Sequence, residues 1–595
     1  MGWILSEFLI NEAECAFPPT QFYQKEPLWI ILSLAMIILV DLLIIFLTNS
    51  IRVGSVIVPF VLFIFAVVVC VVYEFRGIPM MAPDILTVQT ATSVMGNYTF
   101  KLTFEQYSVI LVCMAFFFTF LRLHEVKVTE KRVFHIAGFI VVALGCGLFT
   151  NQIILSDFME EHQINIRMFR PMESYQKYGG VLTFARSVGY AVVRKPEGYT
   201  TAKVDQIIQE YEKKSANEQQ STAKQYPNII TVVNETFADI KVLGDFKTNE
   251  DYMPYFHSLK KNCVTGYTYA SIVGGQTANT EFELLTGNTL GFLSAGTTAF
   301  QLYIHGQMPS LVSNLKAEGY SGNKAMHPFN PYNYNRPAVY KDFGFTDFID
   351  KFDFPKNVKR VREYISDEAN VDRIISEYEK NRKKTDQPFY MYNMTIQNHS
   401  PYDKDAANFK QPIKIESSKY DAEANRYLNL IKYSDDSLKQ LTGYFEKCKE
   451  PTIILFLGDH QPRLTDEFMN KITNGQYQTW SSEQMMKRYQ VPFVIWANYD
   501  IKEQHIEKTS MNYIQSILTK TAGVKMTGYQ RFLNEVRKEV PTITSQGYWG
   551  KNGKFYQIND KGSPYYGIIQ KYRMIQYNMM FDKKNRRDSF FEVSK

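Results

Sequence analysis

Cysteine is scarce in this chain, with 6 in 595 residues. Only Cys263 and Cys448 lie beyond the apolar first quarter, and their spacing gives no reason to expect a pair. A disulfide framework is typical of small secreted domains with closely spaced cysteines. We therefore exclude a fold built on disulfides and predict that these two thiols are free and buried.

An excess of charge of one sign is also missing. Lys and Arg number 66 against 60 Asp and Glu, which gives a formal net charge of +6. Proteins that bind nucleic acids carry clustered basic charge for the phosphate backbone. The balance of charges therefore argues against a nucleic-acid partner. The sequence also lacks internal repeats and low-complexity tracts.

Long apolar runs are confined to the first 155 residues, which we interpret as a membrane anchor. Four candidate spans lie at residues 28–47, 53–73, 107–121 and 133–155. About 20 apolar residues in a helix cross the hydrocarbon core, so the third run is short, and an interfacial or re-entrant segment is its alternative. The first run follows an acidic head without a basic region, which excludes a cleavable signal peptide.

The orientation of the anchor follows from its most basic short loop, between the third and fourth runs. This loop contains Arg122, Lys127, Lys131 and Arg132. The positive-inside rule places it in the cytoplasm, so we predict a multi-pass protein of the cell membrane whose remaining chain is extracellular. Asp41 falls inside the first span, where it either faces the interior of the bundle or a headgroup path, or snorkels near the end of the span.

Beyond the anchor, the composition is that of a soluble domain. Residues 156–225 are predicted to form a helical linker, residues 226–546 an α/β domain, and residues 547–595 a C-terminal extension that is antiparallel or packs along the domain. Short β-rich runs alternate with helical segments in the α/β domain, which predicts a central mixed sheet with helices on both faces. The predicted helical segments include residues 252–260, 309–318, 370–380 and 422–447.

Three predicted strands end in polar clusters. The clusters are Asn234-Glu235 after residues 229–233, Gln397-Asn398-His399 after residues 389–396, and Gly458-Asp459-His460 after residues 453–457. Ligands bind at the carboxyl ends of strands in open α/β sheets, so we expect these endings to converge. Glu235, Asp459 and His460 together suit Mn²⁺, Zn²⁺ or another borderline divalent cation. Taken singly, each of them has a plainer interpretation as a turn or a helix cap.

A glycine-rich turn at Gly274-Gly275 runs into a predicted helix. Thr277 lies at or just before the helix N-terminus, where free N–H groups and the helix dipole favour a phosphate. The alternative is that the threonines here only cap the helix, and Thr280 with Glu283 matches a capping box. We expect Thr280 to have that role, which leaves Thr277 as the candidate nucleophile. Its hydroxyl is protonated at neutral pH, and coordination to a divalent cation would remove that obstacle.

Candidate contacts to a phosphate come from His399 and from residues 327–336. This segment begins with His327 and ends with Tyr334-Asn335-Arg336. Arginine matches phosphate through its planar fork, and histidine can donate to a phosphoryl oxygen or protonate a leaving group. A lone surface arginine is more often simply solvated, but the aromatic and histidine neighbours favour a binding role here.

Five motifs in order resemble those of the lipoteichoic acid synthase-like phosphoglycerol transferases of the alkaline phosphatase and sulfatase superfamily. They are NIITVVNETFAD at 228–239, GGQTANTEF at 274–282, Asn335-Arg336, QNH at 397–399 and GDHQP at 458–462. The resemblance covers about residues 226–498, and the upstream membrane helices fit the layout of the family. It implies a sulfatase-like α/β catalytic domain behind a transmembrane helical bundle.

The resemblance also implies a mechanism. Glu235, Thr277, Asp459 and His460 would bind a divalent cation, commonly Mn²⁺, with Mg²⁺ or Zn²⁺ as alternatives. Thr277 would attack the phosphorus of phosphatidylglycerol and release diacylglycerol, and an acceptor hydroxyl would resolve the glycerophospho-threonine. The residues implied to contact the glycerol phosphate are Arg336, His399, His327, Tyr334 and Asn335. The acceptor would be a polyglycerolphosphate chain of lipoteichoic acid, a glycolipid or a surface glycan.

Two departures from the family leave the acceptor and the topology open. Tyr334 stands where characterised synthases have tryptophan, and four spans are predicted where five are usual. Sulfatase activity is disfavoured because Thr277 lacks a Cys/Ser-x-Pro-x-Arg setting. The alternatives are a phosphoethanolamine transferase, which typically carries several disulfides, and a phosphodiesterase that uses water. A catalytically silent, glycolipid-binding scaffold is an alternative of another class, and a missing metal ligand would be its signature.

Overall fold

The computed structural model describes residues 26–76, 79–82, 124–156, 158–162, 171–191, 195–215, 225–294, 297–416, 422–475 and 479–593, with single positions between 107 and 122 and at 164 and 193. The chain divides into two compact units. The first comprises Met1–Val193 with Ser294–Thr297, and the second comprises Arg194–Leu293 with Thr298–Lys595.

The first unit is helical among its described residues. Its helices are α1 Pro27–Thr48, α2 Ile51–Arg76, α3 Arg132–Phe149, α4 Phe158–Glu161, α5 Pro171–Tyr178 and α6 Gly180–Ala191, and a π-helical turn at Thr150–Ile154 continues α3. Among the residues that the structure describes, three stretches are long and apolar enough to cross a membrane: Pro27–Thr48, Ile51–Cys70 and Arg132–Ile154. They correspond to three of the four predicted runs. Of the 15 residues in the predicted run at 107–121, seven lie outside the described residues.

Asp41 of α1 faces the neighbouring helix α2. A Cβ atom added at Gly54 would lie 2.6 Å from Asp41 Oδ1, so only glycine allows this approach of the two helices. Within the described part of the chain, this oxygen is buried and has no hydrogen-bond partner. Asp41 thus lies between two helices of the anchor, which favours the interpretation that it faces the interior of the bundle.

The second unit is built on an eight-stranded mixed sheet with the strand order β10-β2-β9-β8-β1-β7-β3-β4. Its strands, with those of two smaller sheets, are β1 Asn228–Asn234, β2 Cys263–Tyr269, β3 Ser321–Met326, β4 Asp347–Ile349, β5 Arg360–Val361, β6 Tyr364–Ile365, β7 Phe389–Met394, β8 Thr452–Gly458, β9 Gln490–Ala497, β10 Gln504–Ser510, β11 Thr542–Thr544, β12 Gly547–Trp549 and β13 Phe555–Tyr556. Strand β1 pairs in parallel with both β7 and β8, whereas β9 is antiparallel to β8 and β2. The predicted mixed sheet is confirmed.

Helices cover both faces of this sheet. Along β1, Ile229 and Val233 pack into one apolar cluster, while Ile230 and Val232 pack into another. This alternation follows from the period of two in a strand, and burial on both faces explains why the central strands are apolar throughout. The helices of this unit are α7 Thr201–Ser215, α8 Pro254–Ser258, α9 Thr277–Thr286, α10 Ala299–Leu302, α11 Leu311–Ala317, α12 Arg336–Phe343, α13 Asp367–Arg382, α14 Ala422–Phe445, α15 Asp466–Ile472, α16 Ser482–Met485, α17 Met511–Thr521, α18 Gly528–Glu539, α19 Tyr566–Met580 and α20 Asp588–Phe591.

The predicted helical segments appear as α8, α11, α13 and α14, with shifted ends. Helix α7 falls within the predicted linker and buries Val204, Ile207 and Tyr211 in the first apolar cluster. The C-terminal stretch combines both of its predicted alternatives. Its strands β12 and β13 pair in an antiparallel sheet with β11, and α19 packs against the core through Tyr572 and Ile575.

The two cysteines of this unit form no disulfide with any described residue, as predicted. Cys263 is buried at the start of β2, whereas Cys448 is only half-buried after α14. The prediction that both thiols are buried is therefore correct for Cys263 alone.

Candidate active site

The ends of strands β1, β7 and β8 meet at one edge of the sheet. Asn234 lies opposite Gly458, and Val233 lies opposite Met394, so the residues that follow these strands are neighbours. The Glu235 N–H donates to the Thr395 hydroxyl at 3.0 Å. The three polar endings of the sequence therefore converge because their strands are adjacent and parallel.

Glu235, Asp459 and His460 form a compact buried cluster at this edge. Each offers one ligand atom, and these atoms all lie within 4.8 Å of one another. His460 Nε2 lies 3.2 Å from Asp459 Oδ2 and 3.9 Å from Glu235 Oε1. Two carboxylates and an imidazole at this spacing match the donor set of a divalent transition metal.

The hydrogen bonds around the cluster leave one atom of Asp459 and one of His460 free to bind a ligand. Asp459 Oδ1 accepts from the N–H groups of Thr236 and His460 at 2.7 and 2.8 Å. His460 Nδ1 lies 3.0 Å from the Gln461 carbonyl oxygen, which can only accept, so Nδ1 carries the proton and Nε2 the lone pair. Asp459 Oδ2 and His460 Nε2 are buried without a hydrogen-bond partner among the described residues. A buried polar atom without a hydrogen-bond partner destabilises the folded protein, and binding of a divalent cation by both atoms would remove this cost.

The raised pKa of Glu235 also favours a divalent cation at this cluster. Burial, followed by the charge of Asp459, raises the pKa of Glu235 to about 8. The Thr236 hydroxyl donates to Glu235 Oε1 at 2.9 Å and offsets part of this rise. A cation between the carboxylates would stabilise their charged forms and lower that pKa again.

Thr277 is the first residue of helix α9. Gly274, Gly275 and Gln276 precede it with positive φ values of 70°, 149° and 64°, a run of backbone conformations that turns the chain sharply into the helix. Thr277 is 6% exposed and lines a cleft together with Glu235, His460 and both glycines. The cleft encloses about 540 Å³ of empty space, part of it open to solvent. The free N–H groups at the start of α9 can therefore meet an anionic oxygen there.

The predicted capping box of Thr280 and Glu283 is wrong. The helix begins at Thr277, so Thr280 lies inside its first turn, and its hydroxyl donates to the Asp459 carbonyl oxygen at 2.8 Å. Glu283 accepts instead from the Ser271 hydroxyl and the Leu290 N–H, each at 2.8 Å. Thr280 thus ties α9 to the end of β8, which keeps Thr277 beside the cluster.

Arg336 lies in the wall of the cleft and is almost completely buried. Its Nε and Nη2 donate to Glu281 Oε1 at 3.0 and 2.7 Å. The hydroxyls of Tyr340 and Tyr392 donate to the other Glu281 oxygen. Sequence reasoning missed Glu281, although it follows Thr277 by four residues and therefore lies on the same face of α9.

Two histidines also line the cleft in their neutral forms. His327 Nδ1 lies 3.0 Å from the Met394 carbonyl oxygen, and burial and then the charge of Arg336 hold the pKa of His327 well below its usual range. His399 Nδ1 lies 2.7 Å from the Ser400 carbonyl oxygen, and burial lowers the pKa of His399. Each imidazole therefore carries its proton on Nδ1 and keeps Nε2 as an acceptor.

Tyr334 and Asn335 take different positions. Tyr334 lines the cleft, and the Arg336 guanidinium lies 5.1 Å from its ring centroid. Asn335 is exposed and lies outside the lining of the cleft. Both residues have positive φ values, 59° and 57°, and this tight turn leaves the Asn335 side chain in solvent. The structure thus does not bring Asn335 to the predicted site.

The other polar residues of the strand endings hold the scaffold together around Asp367 of α13. The Asn234 amide donates to Asp367 Oδ2 at 2.7 Å, and the Ser434 hydroxyl donates to the same oxygen at 2.6 Å. Asn398 donates to both Asn234 and Ser434. The network fixes β1 and β7 relative to each other, so the asparagines support the cluster rather than contribute to it.

The role of Arg362 was also not predicted from the sequence. It lies in the turn between β5 and β6 and is 9% exposed. Its guanidinium donates to the carbonyl oxygens of Gln397, His399 and Pro401 at 2.9, 2.7 and 2.6 Å. Arg362 therefore holds the backbone of the His399 segment in place. Its neighbours in the sequence contain no motif that predicts this contact.

Comparisons with known proteins agree with this architecture. The sequence matches the Sulfatase family model over residues 227–524. A Rhizobium meliloti protein, provisionally named a cyclic beta-1,2-glucan modification protein, is 30% identical over 433 residues, which are 71% of this chain and 65% of that protein. A lipoteichoic acid synthase of Staphylococcus saprophyticus is 23% identical over 374 residues, 60% of this chain and 55% of the synthase. The chain thus spans less than two thirds of the length of these relatives.

Among solved structures, the Streptococcus pyogenes phosphoglycerol transferase GacH in complex with sn-glycerol-1-phosphate superposes with a TM-score of 0.55 at 21% identity. The match covers 68% of this chain and 100% of that one, and it shows a shared fold. With the family match over half of the sequence, the chain belongs to the sulfatase family and is a lipoteichoic acid synthase-like member of the alkaline phosphatase and sulfatase superfamily.

Proposed function

We propose that this protein is a metal-dependent, membrane-bound phosphoglycerol transferase. It moves glycerol phosphate from phosphatidylglycerol, through a covalent intermediate on Thr277, to an acceptor outside the cytoplasm. The observation that carries the proposal is the cluster of Glu235, Asp459 and His460. Two of its buried ligand atoms have no hydrogen-bond partner among the described residues, and the cluster borders the cleft that Thr277 lines.

The metal site in this proposal comprises Glu235, Asp459, His460 and Thr277. A bound divalent cation would supply positive charge here and so lower the pKa of the Thr277 hydroxyl. Mn²⁺ is preferred, with Mg²⁺ or Zn²⁺ as alternatives. The donor set of two carboxylates, an imidazole and a hydroxyl suits each of these ions. Thr280 positions the nucleophile because it joins α9 to the Asp459 carbonyl oxygen.

The reaction consists of two displacements at phosphorus. In the first, Thr277 gives its proton to His399 Nε2 and its Oγ bonds to phosphorus, while the bond from phosphorus to the diacylglycerol oxygen breaks and that oxygen takes the proton from His399. In the second, the acceptor hydroxyl gives its proton to His399 Nε2 and its oxygen bonds to phosphorus, while the bond from phosphorus to Thr277 Oγ breaks and Thr277 takes the proton back. His399 carries its own proton on Nδ1, so its Nε2 can accept the proton of the attacking hydroxyl.

Arg336 binds the phosphate, and His327 contacts the glycerol part of the glycerol phosphate, in this proposal. Glu281 fixes the Arg336 guanidinium in the wall of the cleft, so little conformational entropy is lost when a phosphate oxygen binds there. The neutral His327 keeps Nε2 as an acceptor, so it would accept a hydrogen bond from a glycerol hydroxyl. The Tyr334 ring packs against the Arg336 guanidinium and would form the wall of the cleft beside the glycerol group.

A membrane location suits a lipid donor. The three long apolar helices would anchor the chain, and the basic loop before α3 would place the catalytic unit outside the cell. An anchored enzyme meets its donor at a high effective concentration. The named relatives are a lipoteichoic acid synthase and a protein provisionally named for cyclic beta-1,2-glucan modification, and we propose as acceptor a polyglycerolphosphate chain, a glycolipid or a surface glycan.

The test is to incubate the purified full chain with labelled phosphatidylglycerol and Mn²⁺, with and without candidate acceptors, and to identify the products by mass. We expect diacylglycerol and a glycerophosphorylated acceptor. Free glycerol phosphate at the same rate with and without acceptors would indicate a phosphodiesterase. Turnover of phosphatidylethanolamine instead would indicate a phosphoethanolamine transferase, and no turnover of either lipid would indicate a silent scaffold.

A further inference from the structure

A second groove lies beside the active-site cleft. It encloses about 720 Å³ of empty space, part of it open to solvent, and the loop after β3, the segment after β4 and the β5–β6 hairpin line it. Its wall combines three aromatic rings with charged side chains. The rings are Phe329, Phe352 and Tyr364, and the charged residues are Lys351, Arg360 and Glu363.

Phe352 is an unusual residue for a protein surface. It is 73% exposed, at the rim of the groove. Lys351 Nζ lies 5.0 Å from the centroid of the Phe352 ring and 5.8 Å from that of Phe329. Exposed rings that border a concave, polar-rimmed surface are typical of ligand contacts rather than of core packing.

The groove is continuous with the active site. Phe329 lines both the groove and the cleft. Its ring is nearly parallel to the His399 imidazole, with 6.3 Å between centroids and an interplanar angle of 21°. Tyr364 Oη lies 3.4 Å from His399 Nδ1. Arg362, between β5 and β6, also donates to the His399 carbonyl oxygen. The β5–β6 hairpin in the wall of the groove is therefore bonded directly to the segment that carries His399.

The chemistry of the groove favours a neutral sugar. A β-linked glucose ring carries its hydroxyls around its edge and C–H bonds on both faces, and these faces pack on aromatic rings. The charged residues have both signs, with Lys351 and Arg360 as donors and Glu363 as an acceptor, which matches hydroxyls that donate and accept.

We propose that this groove is the acceptor subsite and binds a neutral sugar ring of a glycan. This inference rests on the proposed function and names its acceptor. A sugar hydroxyl that points toward His399 gives its proton to Nε2. The sugar oxygen bonds to phosphorus as the bond from phosphorus to Thr277 Oγ breaks, and the proton passes to Thr277, which is restored. The glycan then carries the glycerol phosphate as a phosphodiester.

The test compares Phe352→Ala with Phe352→Tyr in the full chain, with phosphatidylglycerol as donor and a neutral β-glucose oligosaccharide as acceptor. Removal of the ring should raise the KM for the oligosaccharide about five- to tenfold, and the kcat at saturating oligosaccharide should change less than about twofold. Phe352→Tyr keeps the ring and should stay close to the wild type. Lys356→Ala, which changes an exposed cation outside the groove lining, is the matched surface control and should change neither constant.

Two measurements separate the failure of this inference from the failure of the proposed function. If the wild type releases no diacylglycerol from phosphatidylglycerol, the proposed function is wrong. If it does, but Phe352→Ala has the wild-type KM for the oligosaccharide, the sugar subsite is wrong. Efficient transfer to a polyglycerolphosphate chain, with no transfer to the oligosaccharide, would also show that the assignment of a sugar to the groove is wrong.

Discussion

Arg336 donates two hydrogen bonds to one carboxylate oxygen of Glu281, from Nε at 3.0 Å and from Nη2 at 2.7 Å. The side chains are 2% and 0% exposed, so this ion pair is shielded from solvent. Two tyrosine hydroxyls hold the second oxygen of Glu281. The pair joins α9, which begins with Thr277, to α12, which begins with Arg336, and so fixes the proposed nucleophile and the proposed phosphate-binding arginine relative to each other.

Glu281→Gln should destabilise the protein strongly, because it leaves the guanidinium of Arg336 buried without a counter-charge. Removing one partner of a buried pair typically costs about 3–5 kcal/mol. The change in the free energy of unfolding can be measured by denaturant titration of the full chain in detergent. Glu368→Gln is the matched control, since its partner Lys359 and Glu368 itself are 57% and 50% exposed, and its loss should cost less than about 1 kcal/mol. Equal effects of the two variants would contradict this account of Glu281.

Thr277→Ala should abolish the release of diacylglycerol from phosphatidylglycerol while the protein stays folded. Loss of a covalent nucleophile typically lowers kcat by roughly a thousandfold or more. The matched control is Thr286→Ala at the other end of α9, where the hydroxyl donates to the Phe282 carbonyl oxygen at 2.7 Å. The control should keep most of the activity. A Thr277→Ala protein with the wild-type rate would show that another group attacks phosphorus.

His460→Gln should remove the stabilisation that Mn²⁺ gives to the protein. A ligand present at about 100 times its Kd stabilises the folded state by about 2.7 kcal/mol, so the wild-type Tm should rise when Mn²⁺ is added. The control is His257→Gln, since His257 is partly exposed and bonded to Asp251 at 2.8 Å, away from the cluster. It should leave the rise intact. The same rise in Tm for His460→Gln would mean that the cation binds elsewhere.

The affinity for Mn²⁺ should depend on pH through Glu235. Its raised pKa, about 8, means that below this pH the cation must displace a proton. We expect the affinity to fall as the pH decreases from about 8 toward 6, and to level off above about 8. Without a cation, the stability that Glu235 contributes is present below its unfolded-state pKa and is lost as the pH rises through about 8.

Titration calorimetry in two buffers with different heats of ionisation measures this effect. Below pH 8 the binding of Mn²⁺ should release about one proton, and at higher pH it should release fewer. Glu235→Gln is the control for the origin of that proton. Release of no proton by the wild type below pH 8 would contradict the raised pKa of Glu235.

The sequence by itself determined the features that depend on neighbours along the chain. The apolar runs of α1, α2 and α3 and the short apolar strands β1, β7 and β8 are visible as hydrophobic patterns, because burial selects their composition directly. Parallel strands place their carboxyl ends at one edge, so Glu235, Asp459 and His460 could be predicted to meet. The glycine turn likewise marked Thr277.

Only the tertiary structure decided which polar side chains contact each other across the chain. Thr280 matches a local capping pattern, yet its hydroxyl binds the Asp459 carbonyl oxygen, 179 residues away. Arg362 and Phe352 carry no local signal, and the spacing of Glu281 from Thr277 marks only its helix face, because the partners of these residues lie on other elements. Asn335 lies between two cleft residues in the sequence but points to solvent. Local patterns follow from burial and backbone geometry, whereas the partner of a polar group depends on how distant segments pack, which a single sequence does not show.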